Sequence, residues 1–138
     1  MKMLRSIAVL AALLVSTGCD DDPTGPDVET VAGTYTATEF RIGTGSGSQD
    51  LLALGGSLDI TLNINGTTTG TLYVPAFGGD EELDASLTGT WSLDGRTVTF
   101  EQGADTFVRD MSFRYTEPGI LTGDELFAGG LVEVVLTR

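Results

Sequence analysis

The chain has 138 residues, with no histidine and a single cysteine, and its 20 acidic residues outnumber seven basic ones to give a net charge of −13. This charge argues against nucleic acid and anionic lipid head groups as electrostatic partners. Without a second cysteine, the chain cannot form an intramolecular disulfide. Without a histidine, it cannot form a Cys/His metal site or a Cys-His nucleophile.

Residues 1–18 have the order of an export signal. Lys2 and Arg5 come before an apolar run from Ile7 to Val15, and the small residues 16–18 follow it. The apolar run is about half of the ~20 residues that a membrane-spanning helix needs. Residues 1–18 are therefore predicted to be a removable leader.

The tetrapeptide Ser16-Thr17-Gly18-Cys19 resembles the lipobox of bacterial lipoproteins. In that family a dedicated peptidase cuts before a cysteine whose sulfur carries diacylglycerol. The resemblance implies that Cys19 is lipidated and anchors the protein to a membrane of the bacterial cell envelope, facing the periplasm or the exterior. Each buried acyl CH₂ contributes ~0.8 kcal/mol, so two or three chains make a nearly permanent anchor. The alternative is an ordinary secretory signal that leaves a free thiol.

Residues 19–32 are predicted to be a disordered acidic tether. Three aspartates follow Cys19, and Pro23 and Pro26 disfavour both helix and strand ladder. At ~3.3 Å per residue, the part from Cys19 to Thr30 spans up to ~40 Å. Loss of the leader removes two of the seven basic residues and leaves five against 20 acidic ones, a net charge of −15.

From Val31 onward the apolar pattern has a period of two, which predicts strands. Apolar and polar residues alternate from Leu58 to Asn65 and again from Leu83 to Leu93. After the second run, Asp94-Gly95 predicts a two-residue hairpin turn, because both residues accept positive φ. That turn would place Trp91 opposite Val98.

The turn at Asn65-Gly66 has two possible geometries. A two-residue loop pairs Leu62 with Thr69, whereas a three-residue loop with a glycine bulge pairs Leu62 with Thr68 and Leu58 with Leu72. The second geometry is preferred because it sets leucine against leucine.

Four more strands complete the pattern. They are predicted at Gly33–Ile42, Arg109–Tyr115, Ile120–Leu126 and Leu131–Thr137. The apolar parity changes between Ala37 and Phe40, which predicts a bulge in the first of them. Eight strands joined by hairpins predict an all-β, antiparallel up-and-down barrel over residues 33–138, since closure removes both sheet edges. The long Gly/Ser-rich loop from Gly43 to Gly56 is predicted either to carry function at a barrel mouth or to be disordered, with one helical turn inside it.

Three segments resemble the small lipocalin-like domains of bacterial lipoproteins. VAGTYTATEF is similar to their opening strand, GTWSLDGRTVTF to a middle hairpin and VEVVLTR to a closing strand, and the match covers Val31–Arg138. The resemblance implies a barrel with a small-molecule carrier role. It also implies that Tyr35 packs near Arg138, which plugs the barrel floor by stacking on the ring. The alternative is that Arg138 is a frayed C-terminus.

The barrel interior is the candidate ligand site. Its predicted lining residues are Tyr35, Leu58, Leu62, Trp91, Phe100, Arg109, Met111 and Phe113. Small interior residues such as Gly70 and Gly89 either leave room for an apolar ligand or let the neighbouring aromatic residues pack solidly. Arg109 shares the parity of Met111, so it either points inward toward an anionic head group or lies at the rim.

The sequence offers no catalytic constellation. It has no histidine base, no serine motif with a partner and no phosphate-binding loop, so neither an enzyme nor a cofactor is predicted. The acidic loop at residues 78–84 lacks the Asp-x-Asp-x-Asp-Gly order of a calcium loop, so a solvated turn is preferred to a metal site.

Two functions follow from these patterns. In the first, an anchored module binds a small hydrophobic or amphipathic molecule inside its barrel. In the second, an anchored structural domain has a solid barrel core and contacts another envelope protein through its loops.

Overall fold

A computed structural model describes residues 25–138 of the chain. Within that range the strands are β1 Gly33–Thr44, β2 Gly47–Asp50, β3 Ser57–Leu62, β4 Thr67–Val74, β5 Leu83–Ser86, β6 Gly89–Asp94, β7 Thr97–Gln102, β8 Phe113–Thr116, β9 Ile120–Phe127 and β10 Gly130–Thr137, and the helices are α1 Val28–Val31 and α2 Phe107–Asp110. The predicted leader, Cys19 and the start of the predicted tether lie outside the described residues. Neither helix in the described range has the length and apolarity needed to cross a bilayer.

Eight of the strands form a closed antiparallel barrel. Going around it, β1, β3, β4, β6, β7, β8, β9 and β10 pair in chain order, and β10 pairs back with β1. The two remaining strands are additions. Strand β2 folds back on β1. Strand β5, which comes directly before β6 in the chain, pairs with the second half of β4. The predicted eight-stranded up-and-down barrel is confirmed.

The two ends of the barrel differ in what covers them. One end, called the floor here, carries α1, the turns at residues 63–66, 95–96 and 117–119, and the C-terminal Arg138. The other end, called the mouth, carries the longer connections at residues 43–56, 75–82 and 103–112 and the tight turn at 128–129. The long connections at the mouth give it the larger surface on which a site can be built.

The alternating pattern of β3 builds the barrel wall as predicted. Leu58, Ile60 and Leu62 are each buried, and the residues between them are only partly covered. Leu58 pairs with Leu72 and Leu62 with Thr68, so the three-residue loop is confirmed. Its glycine, Gly66, has φ 85°, the conformation that the glycine of such a bulge requires.

The turn between β6 and β7 differs from the prediction. Asp94 pairs with Thr97, so the loop residues are Gly95 and Arg96, and Trp91 lies opposite Phe100 instead of Val98. Gly95 has φ 60° and Arg96 does not adopt positive φ. This is the pattern of a type II′ turn, which requires glycine only at the first loop position. The shift of two residues keeps every side chain on its predicted face and sets the two largest aromatic side chains of this hairpin against each other.

Two other predictions are corrected by the structure. The predicted strand at Arg109–Tyr115 begins only at Phe113, because residues 107–110 form α2. The Gly/Ser-rich stretch after Gly43 is not irregular throughout, because β2 pairs with β1, and within residues 48–56, where one helical turn is predicted, residues 51–55 form a hydrogen-bonded turn. The bulge in β1 is confirmed, since its register against β10 shifts between Ala37 and Glu39.

A short helix covers the floor. Asp27 caps α1 by accepting a hydrogen bond from the Thr30 amide at 2.7 Å, and Val31 at the end of α1 is completely buried. The Tyr35 hydroxyl donates to the Val31 carbonyl oxygen at 2.6 Å. The folded domain therefore begins near Asp27, and the predicted boundary of the tether at residue 32 is too late.

Arg138 ties three segments together at the floor. Its Nη1 donates to the carbonyl oxygens of Thr30 and Ala32, each at 2.8 Å, and its Nη2 donates to the carbonyl oxygen of Pro118 at 3.1 Å. The guanidinium thus joins the chain before β1 to the turn before β9. Arg138 is therefore not a frayed end, because three hydrogen bonds to backbone oxygens hold its guanidinium in place.

Candidate ligand site at the barrel mouth

The lower part of the barrel interior is packed with side chains. The structure buries seven of the eight predicted interior residues: Tyr35, Leu58, Leu62, Trp91, Phe100, Met111 and Phe113. The rings of Phe100 and Phe113 meet edge to face with centroids 5.6 Å apart. Aromatic pairs in this geometry fill space efficiently, so this region belongs to the solid core.

Gly70 and Gly89 bring strands close together and do not open a cavity. A methyl group on Gly70 would collide with the backbone oxygen of Asp59 and lie 2.8 Å from Cα of Ile60. A methyl group on Gly89 would lie 2.9 Å from Cα of Gln102. The interpretation that these small residues leave space for a ligand is therefore wrong, because neighbouring backbone already occupies the space.

Arg109 lies at the outer rim, one of the two places considered for it. It is part of α2, and its guanidinium forms ion pairs with Asp105 at 2.6 Å and with Asp110 at 2.9 Å. The hydrogen bond from Arg109 also lowers the pKa of the Asp110 carboxyl group. With both neighbouring carboxylates engaged, Arg109 is not available to an anionic head group inside the barrel.

An apolar cavity of about 190 Å³ opens at the mouth. Its apolar lining comes from strand ends and from every mouth connection, and comprises Ile42, Leu51, Val74, Phe77, Leu83, Phe107, Phe127, Ala128 and Val132. Apolar cavities of about 150 Å³ can hold one benzene molecule, and sites for drug-sized ligands measure about 300–1,000 Å³. The mouth cavity therefore suits one aromatic ring or part of an alkyl chain.

Phe107 forms the inner wall of this cavity. Its ring centroid lies 5.6 Å from that of Phe40 in the core and 5.5 Å from that of Phe127 at the mouth. Residues two apart on a helical turn point about 200° apart around its axis, so Phe107 reaches inward while Arg109 stays at the surface. The aromatic cluster thus separates the solid core from the open cavity.

Leu51 forms the opposite wall. The amide of Leu51 donates to the Phe40 carbonyl oxygen at 2.8 Å, and its own carbonyl oxygen accepts from the Gly56 amide at 2.7 Å. These two bonds close the turn that follows β2 and hold the Leu51 side chain inside the mouth, where it is fully buried. The Gly/Ser-rich connection therefore supplies a wall of the site.

None of the eight predicted interior residues lines the mouth cavity. Three of the residues that do line it, Leu51, Phe77 and Phe107, were missed because they lie in connections without a period of two. A signal for them was present, since each is a large apolar residue inside a polar, glycine-containing stretch. Large apolar residues in long polar connections are candidates for side chains that cover the end of a barrel.

The rim of the cavity is acidic. Among the described residues, the charged side chains that line the cavity are Asp80 and Glu81. Nearby, Tyr73 donates a hydrogen bond to Glu82 at 3.3 Å, and the negative charge of Glu82 raises the pKa of the Tyr73 hydroxyl. In the described part of the chain, no three potential metal-ligating side chains converge, here or elsewhere.

A larger concavity of about 550 Å³ lies on the outer wall of the barrel. It crosses β1, β8, β9 and β10, and its charged residues are Glu39, Arg41, Arg114, Asp124 and Glu133. Charges of both signs alternate on this surface, and it lacks the aromatic walls of the mouth. It is a polar contact surface and a poorer site for an apolar ligand.

Comparison with known proteins finds no family model that matches the chain, no match among curated proteins and no match among solved structures. A function for this protein is therefore inferred from the mouth cavity and from the sequence pattern before Gly25.

Proposed function

We propose that this protein is a lipid-anchored lipoprotein of the bacterial cell envelope whose lipocalin-like barrel binds a small hydrophobic or amphipathic molecule at its mouth, without catalysis. The observation that carries the proposal is the apolar cavity between Leu51, Phe77 and Phe107, which remains open above a packed core. Concave apolar sites with a few polar groups at the rim are the usual form of small-molecule sites.

The position of the tether supports an anchored, outward-facing site. A methyl group on Gly25 would lie 3.8 Å from the carbonyl oxygen of Gly95, so the chain enters the domain at the floor. Gly25 is the sixth residue after Cys19, and at ~3.3 Å per residue the chain between them spans up to ~20 Å. With Cys19 as the anchor, the floor faces the membrane and the mouth faces away from it.

Filling the cavity is the direct test of ligand binding. Val74 is half-buried and lines the cavity, so Val74→Trp is expected to weaken binding of the uncharged fluorescent probe N-phenyl-1-naphthylamine by about tenfold or more, because the indole occupies the volume that an aromatic ring of the probe needs. Fluorescence titration of the purified domain measures this. Val135→Trp is the matched control, since Val135 is equally half-buried but lies on the outer wall. Absence of saturable probe binding to the unsubstituted protein would overturn the proposal.

The anchor has its own test. When the full chain is expressed in a bacterium, the mature N-terminal peptide is expected to begin at Cys19 and to carry the mass of a diacylglycerol, and the protein is expected to fractionate with membranes. Cys19→Ser removes the sulfur that accepts the lipid, so this variant is expected to leave the membrane fraction. Mass spectrometry of the N-terminal peptide decides the question. A mature chain that starts elsewhere, or an unmodified Cys19 thiol, contradicts the anchor.

A second function is favoured by the packed lower barrel and by the polar outer concavity. In this alternative the barrel is a scaffold, and the surface around Arg41, Arg114 and Glu133 contacts another envelope protein. Both functions use the same anchor. A protein that shows no probe binding, but whose crosslinks to an envelope protein are lost in Arg41→Glu/Arg114→Glu, would support the scaffold role.

A further inference from the structure

We propose that the mouth cavity selects amphiphiles whose polar end is cationic, such as alkyl amines, and rejects carboxylates with the same alkyl chain. This inference rests on the proposed function and assigns the chemical class of its ligand. It depends on where the polar end of a bound amphiphile must lie and on which charges surround that place.

The size of the cavity fixes the position of the polar end. A volume of about 190 Å³ holds a ring or part of an alkyl chain but not a whole amphiphile. Phe107 forms the inner wall of the cavity and Leu51 the opposite wall, and both are fully buried. The apolar part of the ligand therefore occupies the cavity, and its polar end lies at the rim beside Asp80 and Glu81.

A tight turn holds these carboxylates at the rim. The amide of Asp80 donates to the carbonyl oxygen of Phe77 at 2.9 Å, and between them Gly78 and Gly79 take φ values of 62° and 97°. Positive φ at both central positions is typical of a type I′ turn and suits glycine. The same turn thus places the Phe77 ring in the cavity wall and the Asp80 carboxylate at its edge. The apolar wall and the negative charge are therefore held at a fixed distance from each other.

The surrounding charges do not neutralise this rim. The acidic residues on the mouth connections and adjoining strand ends are Asp50, Asp80, Glu81, Glu82, Asp84, Asp105 and Asp110. Arg109 at the mouth is engaged by Asp105 and Asp110, and Arg41 pairs with Glu39 at 3.7 Å on the outer wall. The other arginines of the described chain, at positions 96, 114 and 138, lie toward the floor.

An amine at this rim is attracted by several carboxylates, and a carboxylate is repelled by them. Charges at the surface interact within a Debye length, about 10 Å at 0.1 M salt. The carboxylates of the rim therefore act on the polar end of a ligand that is bound beside them. An uncharged alcohol of the same length experiences neither effect. Octylamine, octanol and octanoate therefore form a series in which only the charge of the polar end changes.

The test is competition between these three compounds and N-phenyl-1-naphthylamine near pH 7.5. Octylamine is expected to displace the probe at a concentration about tenfold lower than octanoate, with octanol between them, and higher salt is expected to narrow the gap. The double variant Asp80→Asn/Glu81→Gln is expected to reduce the amine preference severalfold while keeping probe and octanol binding. Asp94→Asn/Glu29→Gln makes the same charge change near the floor and is the matched control, expected to keep the full preference.

The outcomes separate the two proposals. If the probe and octanol bind but the amine and the carboxylate compete equally, or if the floor variant changes the preference as much as the rim variant, the charge inference fails and the binding function stands. If neither the probe nor octanol binds, the proposed binding function itself fails.

Discussion

Alanine in place of Gly70 or of Gly89 is expected to lower the free energy of unfolding by about 3 kcal/mol or more, because the new methyl group would collide with backbone atoms of the neighbouring strand. At Gly70 the methyl would meet the Asp59 carbonyl oxygen, and the φ of 155° adds backbone strain. At Gly89 the methyl would meet the Glu101 carbonyl oxygen. Backbone atoms in a closed barrel cannot retreat as the end of a flexible side chain can.

Urea unfolding followed by circular dichroism measures this loss. Gly45→Ala and Gly103→Ala are the controls, since a methyl group on either would meet no atom within 4 Å and neither glycine has positive φ. Both are expected to change the free energy of unfolding by less than about 0.5 kcal/mol. If Gly70→Ala and Gly89→Ala were as stable as these controls, the result would contradict the close backbone contacts at these glycines, between β4 and β3 and between β6 and β7.

Between pH 10 and 12 the domain is expected to lose about 2–3 kcal/mol of stability through one buried hydroxyl group, that of Tyr35. Burial raises the pKa of Tyr35 from its ordinary value of 10.0 to about 12, although the positive charge of Arg138 partly opposes the shift. An unfolded chain releases this proton near pH 10, whereas the folded chain retains it up to about pH 12. The stabilisation is therefore complete below pH 10 and is lost as the pH rises toward 12.

Tyr35→Phe isolates this effect. The variant is expected to be about 1 kcal/mol less stable near neutral pH, because the Val31 carbonyl oxygen loses its donor, and to depend less on pH above 10. Urea midpoints near pH 8, 10 and 11.5 provide the comparison. Tyr73→Phe is the control, since its hydroxyl lies at the surface beside Glu82 and solvent screens that contact. An equal loss of stability in wild type and Tyr35→Phe would exclude Tyr35 as the cause.

The floor and the mouth of the barrel have different physical roles. At the floor, hydrogen bonds from Arg138 and Tyr35 join the C-terminal residue and β1 to the segment before β1, where Val31 is completely buried. At the mouth, side chains from separate connections meet around a space that none of them fills. The floor is therefore closed by hydrogen bonds and packing, whereas the mouth keeps an apolar space open.

The sequence by itself determined the class of fold and much of the register. Alternation from Leu58 to Leu62, a glycine at the right place in the turn and the parity change after Ala37 are local properties, and the pairing of Leu58 with Leu72 follows from them. The hairpin at Asp94 shows the limit of such reasoning. Turns that start one residue apart keep every side chain on the same face, so the alternation alone does not distinguish the predicted pair Trp91–Val98 from the observed pair Trp91–Phe100.

Only the tertiary structure decided where the open space lies. Leu51, Phe77 and Phe107 are far apart in the chain and belong to connections without a repeating pattern, so their meeting depends on the closure of the barrel. Pairing within the β3–β4 and β6–β7 hairpins places Gly70 and Gly89 against backbone of the neighbouring strand, so the space predicted beside them is filled. A periodic pattern specifies which face of a strand is buried, but the volume left between buried faces depends on distances between strands and loops, which no local pattern contains.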